Sequence, residues 1–318
     1  AVTLAMVIGG AMGTLILMVH LRNQRTGRWL QLERVRSSVR SAAHLAVHHQ
    51  ELDGAPRTLH LFEEAADTVT AVRIAFGMLD LIRTSAHVQG RIIQEEAFSG
   101  GMAPTDRVLE LDGRAGPLQM AGDARISGTV RVPGGDVRRG YIEGRPFTGN
   151  RLIEGAVYRQ EGRLEIVPET TRQRLMRFAA GGTVGVPTGL EPGSEDLRTE
   201  RDADALVPVI RFMGPTTLSG VRMDGPVVIQ CTDTLTLDAD LVVRHCLVQA
   251  PYIRIRSGFA GDVQCFATRG IEVEQDVQLH YPSLLAVVRD VHRDEGDFIE
   301  VGGGSMIQGA MVILDDGV

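Results

Sequence analysis

An apolar triplet recurs at fixed spacing in the C-terminal third of this 318-residue chain: Leu235-Thr236-Leu237 with Leu241, Ile253-Arg254-Ile255 with Phe259, and Ile271-Glu272-Val273 with Val277. Each set follows the last by eighteen residues, with the same internal offsets. The alternating pair is a short strand with one buried face, and the third apolar residue returns inward beyond a turn. Gly258, Gly261 and Gly270, with Pro251 and Pro282, stand near the corners such a winding needs. A unit of this length cannot bury its own apolar face, so it must stack on its neighbours. The pattern predicts a parallel β-helix over 206–318 and a mainly β fold class.

A second phrase, an apolar residue, any residue, then Gly, recurs at Ile126/Gly128, Leu218/Gly220 and Ile307/Gly309. The winding is therefore expected to begin near residue 117, as a first β-helix-like segment over 116–149, and to resume after an insertion. The run Asp123-Ala124-Arg125-Ile126-Ser127-Gly128-Thr129-Val130 resembles the short phrases of bactofilins, polymer-forming bacterial cytoskeletal proteins. That resemblance covers about 12 residues closely and about 100 by period; it implies a right-handed β-helix. Bactofilins lack an insertion of this size and usually such an N-terminal module, so polymerisation is not carried over. The whole layout, with GGDVRRGYIEGRPFTG at 134–149, also resembles an uncharacterised bacterial family of membrane-anchored proteins.

The other end reads differently. Ala1 to Leu21 contains no charged residue, and its first 19 residues approach the roughly 20 apolar residues that cross a bilayer. A single transmembrane helix is expected over 1–21; the rival is a secretory signal peptide, whose apolar region is shorter and ends in a cleavage site. There is no initiator Met, so a processed form or a fragment is the expectation. Arg22, Arg25, Arg28, Arg34, Arg36 and Arg40 follow the span, which by itself holds the body in the cytoplasm. The family resemblance points instead to the envelope or periplasmic side, and orientation stays open. Gly9 and Gly13 have the GxxxG spacing of close helix pairs.

Leu32, Val35, Val39, Ala42 and Ala46 form one stripe at helical spacing, so a membrane-proximal amphipathic helix is expected over 22–52. Asp53-Gly54-Ala55-Pro56 should end it. His44 and His48 are four apart, but without an HExxH-type acid they read as a solvated face. Within 53–115, the runs TLHLF, DTVTAVRIAF, MLDLIRTSA and HVQGRIIQEEAF predict a small antiparallel β meander of three or four strands that could pack on the helix. The helix-then-sheet layout resembles type IV pilins and pseudopilins in outline, although position 5 is Ala5 where that family has glutamate. Residues 150–205 form the insertion: a short helix after Pro168, a loop from Gly181 to Gly193, and a charged connector from Glu195 to Asp204. The glycines of GGTVGVPTG do not match a nucleotide-binding pattern.

All 33 basic residues are Arg, which excludes a P-loop lysine, a Schiff-base lysine and a Ser-Lys dyad. Residues 1–50 carry net charge +5 and the rest −12, so the acidic body disfavours nucleic acid. Cys231, Cys246 and Cys265 contain no C-x-x-C and, even beside His245 and His280, read as buried apolar thiols. No G-x-S-x-G is present, Ser219 and Ser305 have no nearby His, and Gly302-Gly303-Gly304 reads as a turn. Glu272, Glu274 and Asp276, with Asp238 and Asp240, should stand outward, as in β-helix enzymes that bind Ca²⁺ and act on polysaccharides. Such a row also suits a solvated face. The six-residue period of hexapeptide acyltransferases is not kept.

No residue is assigned a catalytic, cofactor-binding or metal role, and no cofactor or small-molecule substrate is implied. The expected function is a non-enzymatic, single-pass membrane-anchored scaffold or assembly protein of a pilus-like or envelope apparatus, with protein partners or self-association. The alternative is a polysaccharide-active β-helix enzyme using the outward acids.

Overall fold

The computed structural model of the chain describes residues 2–48, 54–61, 68–88, 90–100, 107–111, 116–142, 144–161, 168–182, 185–187, 196–197, 207–288 and 298–314. Two compact units result, one of residues 1–100 with 174–318 and one of residues 101–173.

In the first unit, helix α1 covers Val2–His48, merging the two helices expected over 1–21 and 22–52. Among the described residues no helix is long and apolar enough to cross a membrane. The span expected over 1–21 lies partly outside the residues whose side chains are described, which begin at Gly10 in α1. The later stripe behaves as its spacing predicts. Val35, Val39, Ala42 and Ala46 are buried against Val69, Ala71, Ile82 and Ala86 of a sheet, while Leu32 is half-buried and His44 and His48 are exposed. Burying each Val in that seam is worth roughly 1.5–3 kcal/mol. The end of the helix expected at Asp53 lies outside the described residues.

The sheet is the expected meander, with four strands: β1 (Arg57–His60), β2 (Thr68–Phe76), β3 (Leu79–Val88) and β4 (Arg91–Ser99). They pair antiparallel in sequence order. One face meets α1, where the buried Thr84 hydroxyl donates to the Val39 carbonyl at 3.1 Å.

From residue 185 onward the chain winds as a parallel β-solenoid with three sides. The first side stacks Leu235 on Ile253 on Ile271, and Leu237 on Ile255 on Val273. All six are at most 1% exposed, so the eighteen-residue repeat is one turn of the winding. Thr216–Leu218 precedes this column and Phe298–Val301 extends it. Leu241, Phe259 and Val277 are buried in the same core.

The second side stacks segments of 207–212, 227–230, 246–250, 263–267, 284–287 and 310–313. The third pairs 196–197 with 222–223 and 222–224 with 242–244, then 260–261 with 278–279 and 278–279 with 306–307. The second Ile-x-Gly-like phrase is not a structural repeat. Leu218 lies on the first side, opposite Leu237, whereas Ile307 lies on the third, opposite Leu279. Part of the loop expected over 181–193 is also strand, since Gly185–Pro187 pairs parallel with Val207–Val209.

At the corners, a polar side chain of one coil accepts from a backbone N–H of the coil before it. Thr232 accepts from Gly214 at 3.0 Å, Asp262 from His245 at 2.8 Å, Glu274 from Ser257 at 3.0 Å, Ser283 from Val263 at 3.2 Å and Ser305 from Val277 at 3.1 Å. A corner cannot extend the sheet ladder, so these side chains satisfy backbone donors that the ladder leaves over, those of His245, Val263 and Val277 away from open solvent.

The second side is covered on its outer face as well. The turn between β2 and β3 lies against it, with Gly77 at φ +62° facing Gln264. The Gln264 side chain accepts from the Met78 amide at 2.8 Å and donates to the Phe76 carbonyl at 3.1 Å. The C-terminal end of α2 (Glu169–Ala179) covers the neighbouring area, with the Phe178 and Phe266 rings 5.5 Å apart. Gln249 donates to the Phe178 carbonyl at 2.8 Å, and Gln230 to that of Gly181 at 2.8 Å. This α2 is the short helix expected after Pro168.

The second unit repeats the parallel theme on a smaller scale. Thr129–Pro133 lies between Arg107–Glu110 and Val157–Gln160, all parallel, and Leu118–Met120 pairs parallel with Val137–Arg139. Val130 and Val132 are fully buried. Parallel pairing thus begins at residue 107 rather than near 117, and it reaches residue 160, inside the expected insertion. The phrase at 123–130 is held by the Gly128 amide donating to Glu154 at 3.0 Å.

Candidate functional site

A group of chemistry-bearing side chains in the first unit gathers at one corner of the solenoid, beside Phe98 of β4. His245 takes a left-handed backbone, φ +57°, where strand Val242–Ile255 turns from the third side to the second. His is among the residues that tolerate this region. The Oδ2 atom of Asp262, one coil later, lies 2.5 Å from His245 Nδ1 and accepts the His245 amide at 2.8 Å. The imidazole ring is 5.0 Å from the Phe98 ring, which is 5.6 Å from Phe76. Cys246, Gln264 and Pro282 complete the wall of a narrow crevice there.

The electrostatics follow from this geometry. The hydrogen bond to Asp262 raises the pKa of His245, against an opposing effect of partial burial and of Arg244. Cys246 is wholly buried, and its thiol is pushed up to about 12, chiefly by burial and then by Asp262. Burial also pushes up the Cys265 thiol. A thiol held in that state offers almost no thiolate at neutral pH. The cluster therefore has an oriented imidazole and carboxylate, but Cys246 is not a nucleophile for them.

The other candidates fall as follows. Cys231, Cys246 and Cys265 are free and buried in the solenoid core, as the absence of C-x-x-C suggests. His280 is exposed, and its carbonyl accepts from the Ser283 hydroxyl at 2.5 Å. Ser219 is exposed, while Ser305 is engaged in the corner at Val277. Among the described residues no group of three or more His, Cys, Asp or Glu side chains is placed to hold a metal ion.

Of the acids expected to form an outward row, Glu272, Glu274 and Asp238 are engaged. Glu272 accepts from the Tyr252 hydroxyl at 2.6 Å and from Arg254 Nε at 2.8 Å. These contacts, Tyr252 first, hold its carboxyl below the usual range despite partial burial. Glu274 accepts from both the amide and the hydroxyl of Ser257, at 3.0 and 3.1 Å. Asp276 occupies a turn at φ +57°, and Asp238 closes its own turn by accepting from the Ala239 amide at 2.8 Å. Glu272 and Glu274 thus join a coil to its predecessor.

A cleft of about 440 Å³ lies between the C-terminal end of α2 and the solenoid, lined by Arg211, Met213, Gln230, Gln249 and Thr268 among others. Arg211 Nε donates to Gln230 Oε1 at 2.8 Å, and Gln230 Nε2 to Gln249 Oε1 at 2.8 Å. Comparison with family models, with curated proteins and with solved structures gives no match for this chain.

Asp262, Gln230, Gln249, Gln264 and Phe98 were not singled out by sequence reasoning. A signal for three of them exists, because a glutamine interrupts each of the apolar runs VVIQC, CLVQA and VQCFA. A polar residue inside such a run needs a buried partner.

Proposed function

We propose that this chain is a non-enzymatic scaffold or assembly protein. The observation that carries the reading is the use of its outward polar side chains. Glu272 with Tyr252 and Arg254, Glu274 with Ser257, and Asp262 with His245 join one coil to the next. Those residues build a stiff, continuous stack, a role in keeping with solenoids that serve as extended binding surfaces. The resemblance of residues 123–130 to bactofilin phrases supports the same reading and brings with it a right-handed winding. A pilus-like or envelope apparatus is the setting we infer, with α1 as the arm that meets other components. From Met12 to Leu21 its large apolar side chains are exposed.

The polysaccharide-enzyme reading relied on Glu272 and Glu274, whose engagement in coil-to-coil contacts favours the scaffold. Sedimentation velocity of the full chain over a range of concentrations, with chemical crosslinking in cells, tests the proposal. Self-association or recovery of a stable partner is expected. A chain that stays monomeric and crosslinks to nothing overturns it.

A further inference from the structure

A directed line of hydrogen bonds runs from the C-terminal end of α2 to a cation at the cleft beside it. Gln249 is 3% exposed, and both hydrogens of its side-chain nitrogen are spent, on the Phe178 carbonyl at 2.8 Å and the Gly182 carbonyl at 3.2 Å. Its Oε1 accepts from Gln230 Nε2 at 2.8 Å, whose other hydrogen goes to the Gly181 carbonyl at 2.8 Å. An amide nitrogen has no third hydrogen. Gln230 Oε1 is thus left to accept, and Arg211 Nε donates to it at 2.8 Å. The carbonyls of the helix end set the direction of the line, and the line holds one edge of the guanidinium. Among the described residues, the other nitrogens of Arg211 make no hydrogen bond or ion pair.

That guanidinium lines the cleft of about 440 Å³, a size within the roughly 300–1,000 Å³ of small-molecule sites. Met213, Thr232, Pro251 and Thr268 reach it from four successive coils, just past the second side. The lining holds one cation, Arg211, and no acid. Ala250 and Pro251 supply apolar surface. The Thr232 hydroxyl accepts from the Gly214 amide at 3.0 Å and keeps its own hydrogen to donate.

We propose that this cleft binds a small organic acid, with its carboxylate on the unengaged edge of Arg211 and its apolar body against Met213, Ala250 and Pro251. The site goes beyond the scaffold reading and does not depend on it. A guanidinium fork matches the two oxygens of a carboxylate, and one cation balances one negative charge, which favours a carboxylate over a phosphate dianion. Free carbonyls at a helix end repel an anion. Here Gln230 and Gln249 occupy those of Phe178, Gly181 and Gly182, which removes part of that repulsion.

The test titrates the full chain with N-acetyl-leucine, with its neutral counterpart N-acetyl-leucinamide and with inorganic phosphate. Calorimetry reads the affinity, and the methyl resonance of Met213 reads the location. Met213 is 86% exposed, so Met213→Leu assigns that resonance without disturbing the core. The acid is expected to shift it and to bind about tenfold tighter than the amide, as a charge-assisted contact implies. Arg211→Gln should erase that preference with the circular dichroism unchanged. Should that variant misfold, Arg211→Lys keeps the charge without the fork and should reduce the preference in the same direction. No binding of the acid, equal binding of acid and amide, a preference that survives in both variants, tighter binding of phosphate, or an unmoved Met213 resonance overturns the site. None of these results bears on self-association, which tests the scaffold separately.

Discussion

Gln264 offers the most direct measure of how the meander is fastened to the solenoid. Its side chain is 4% exposed, and its two polar atoms serve two backbone groups of one turn, the Met78 amide at 2.8 Å and the Phe76 carbonyl at 3.1 Å. Gln264→Leu keeps the volume and removes both partners. Leaving a buried donor or acceptor unsatisfied costs about 1–3 kcal/mol each, so the variant should lose roughly 2–5 kcal/mol. Gln278→Leu, at an exposed position of a neighbouring coil, is the control and should stay within about 0.5 kcal/mol. Guanidinium unfolding with linear extrapolation measures the difference. Hydrogen exchange locates it, because the Met78 amide should lose protection in Gln264→Leu well before the strands of the solenoid do. If the variant matches the control and the Met78 amide stays protected, the clamp does not hold the turn and the reasoning fails.

Two further outcomes follow from the core and from the corner. Ile253 is fully buried with Leu235 and Ile271 in register on either side, so Ile253→Ala should cost about 2–5 kcal/mol and Ile253→Val about 0.5–1.5 kcal/mol in the same unfolding assay; equal costs would place the residue outside a packed column. His245 has a raised pKa in the folded chain because of Asp262. Its contribution to stability is therefore complete below the ordinary imidazole value near ~6.5 and is lost as pH rises through the folded value. The unfolding midpoint should fall over that window in the wild type, and the slope should vanish in His245→Asn, which also tolerates a left-handed backbone. A slope unchanged in that variant would assign the titration to another group.

Much of the architecture is readable along the chain because of one-sided burial. On the first side of the solenoid only the inner face is dry, so Leu235-Thr236-Leu237 and its successors alternate strictly and their period is visible. The stripe on α1 and the near-alternation within β2 are legible for the same reason. The second side is dry on both faces, where the β2–β3 turn and α2 lie on it. Its strands read as apolar runs such as CLVQA and VQCFA, each interrupted by one glutamine, which carry no period. Those rows were consequently invisible as coils, although they form one of the three sides of the same winding. Ile299 follows Ile271 in the column after twenty-eight residues, which hides that coil from any search at eighteen.

The cluster around His245 was legible only in part. The three cysteines announced their burial by lacking any metal-binding spacing, and they lie in the core. Nothing local marks Asp262 as the partner of His245, since the pairing depends on two corners meeting one above the other. The outward acids were legible as outward, but not as engaged, because their partners Tyr252, Arg254 and Ser257 lie one coil away.

By itself the sequence determined the parallel winding, its eighteen-residue turn, the antiparallel meander and the apolar stripe of α1. Each of these is a periodic pattern of one-sided burial, which the order of residues records directly. Only the tertiary structure decided that Gln264 grips a turn 186 residues earlier in the chain and that corner donors are capped from the following coil. Contacts of that kind join residues with no fixed spacing, and their free energy comes from the geometry in which the coils meet.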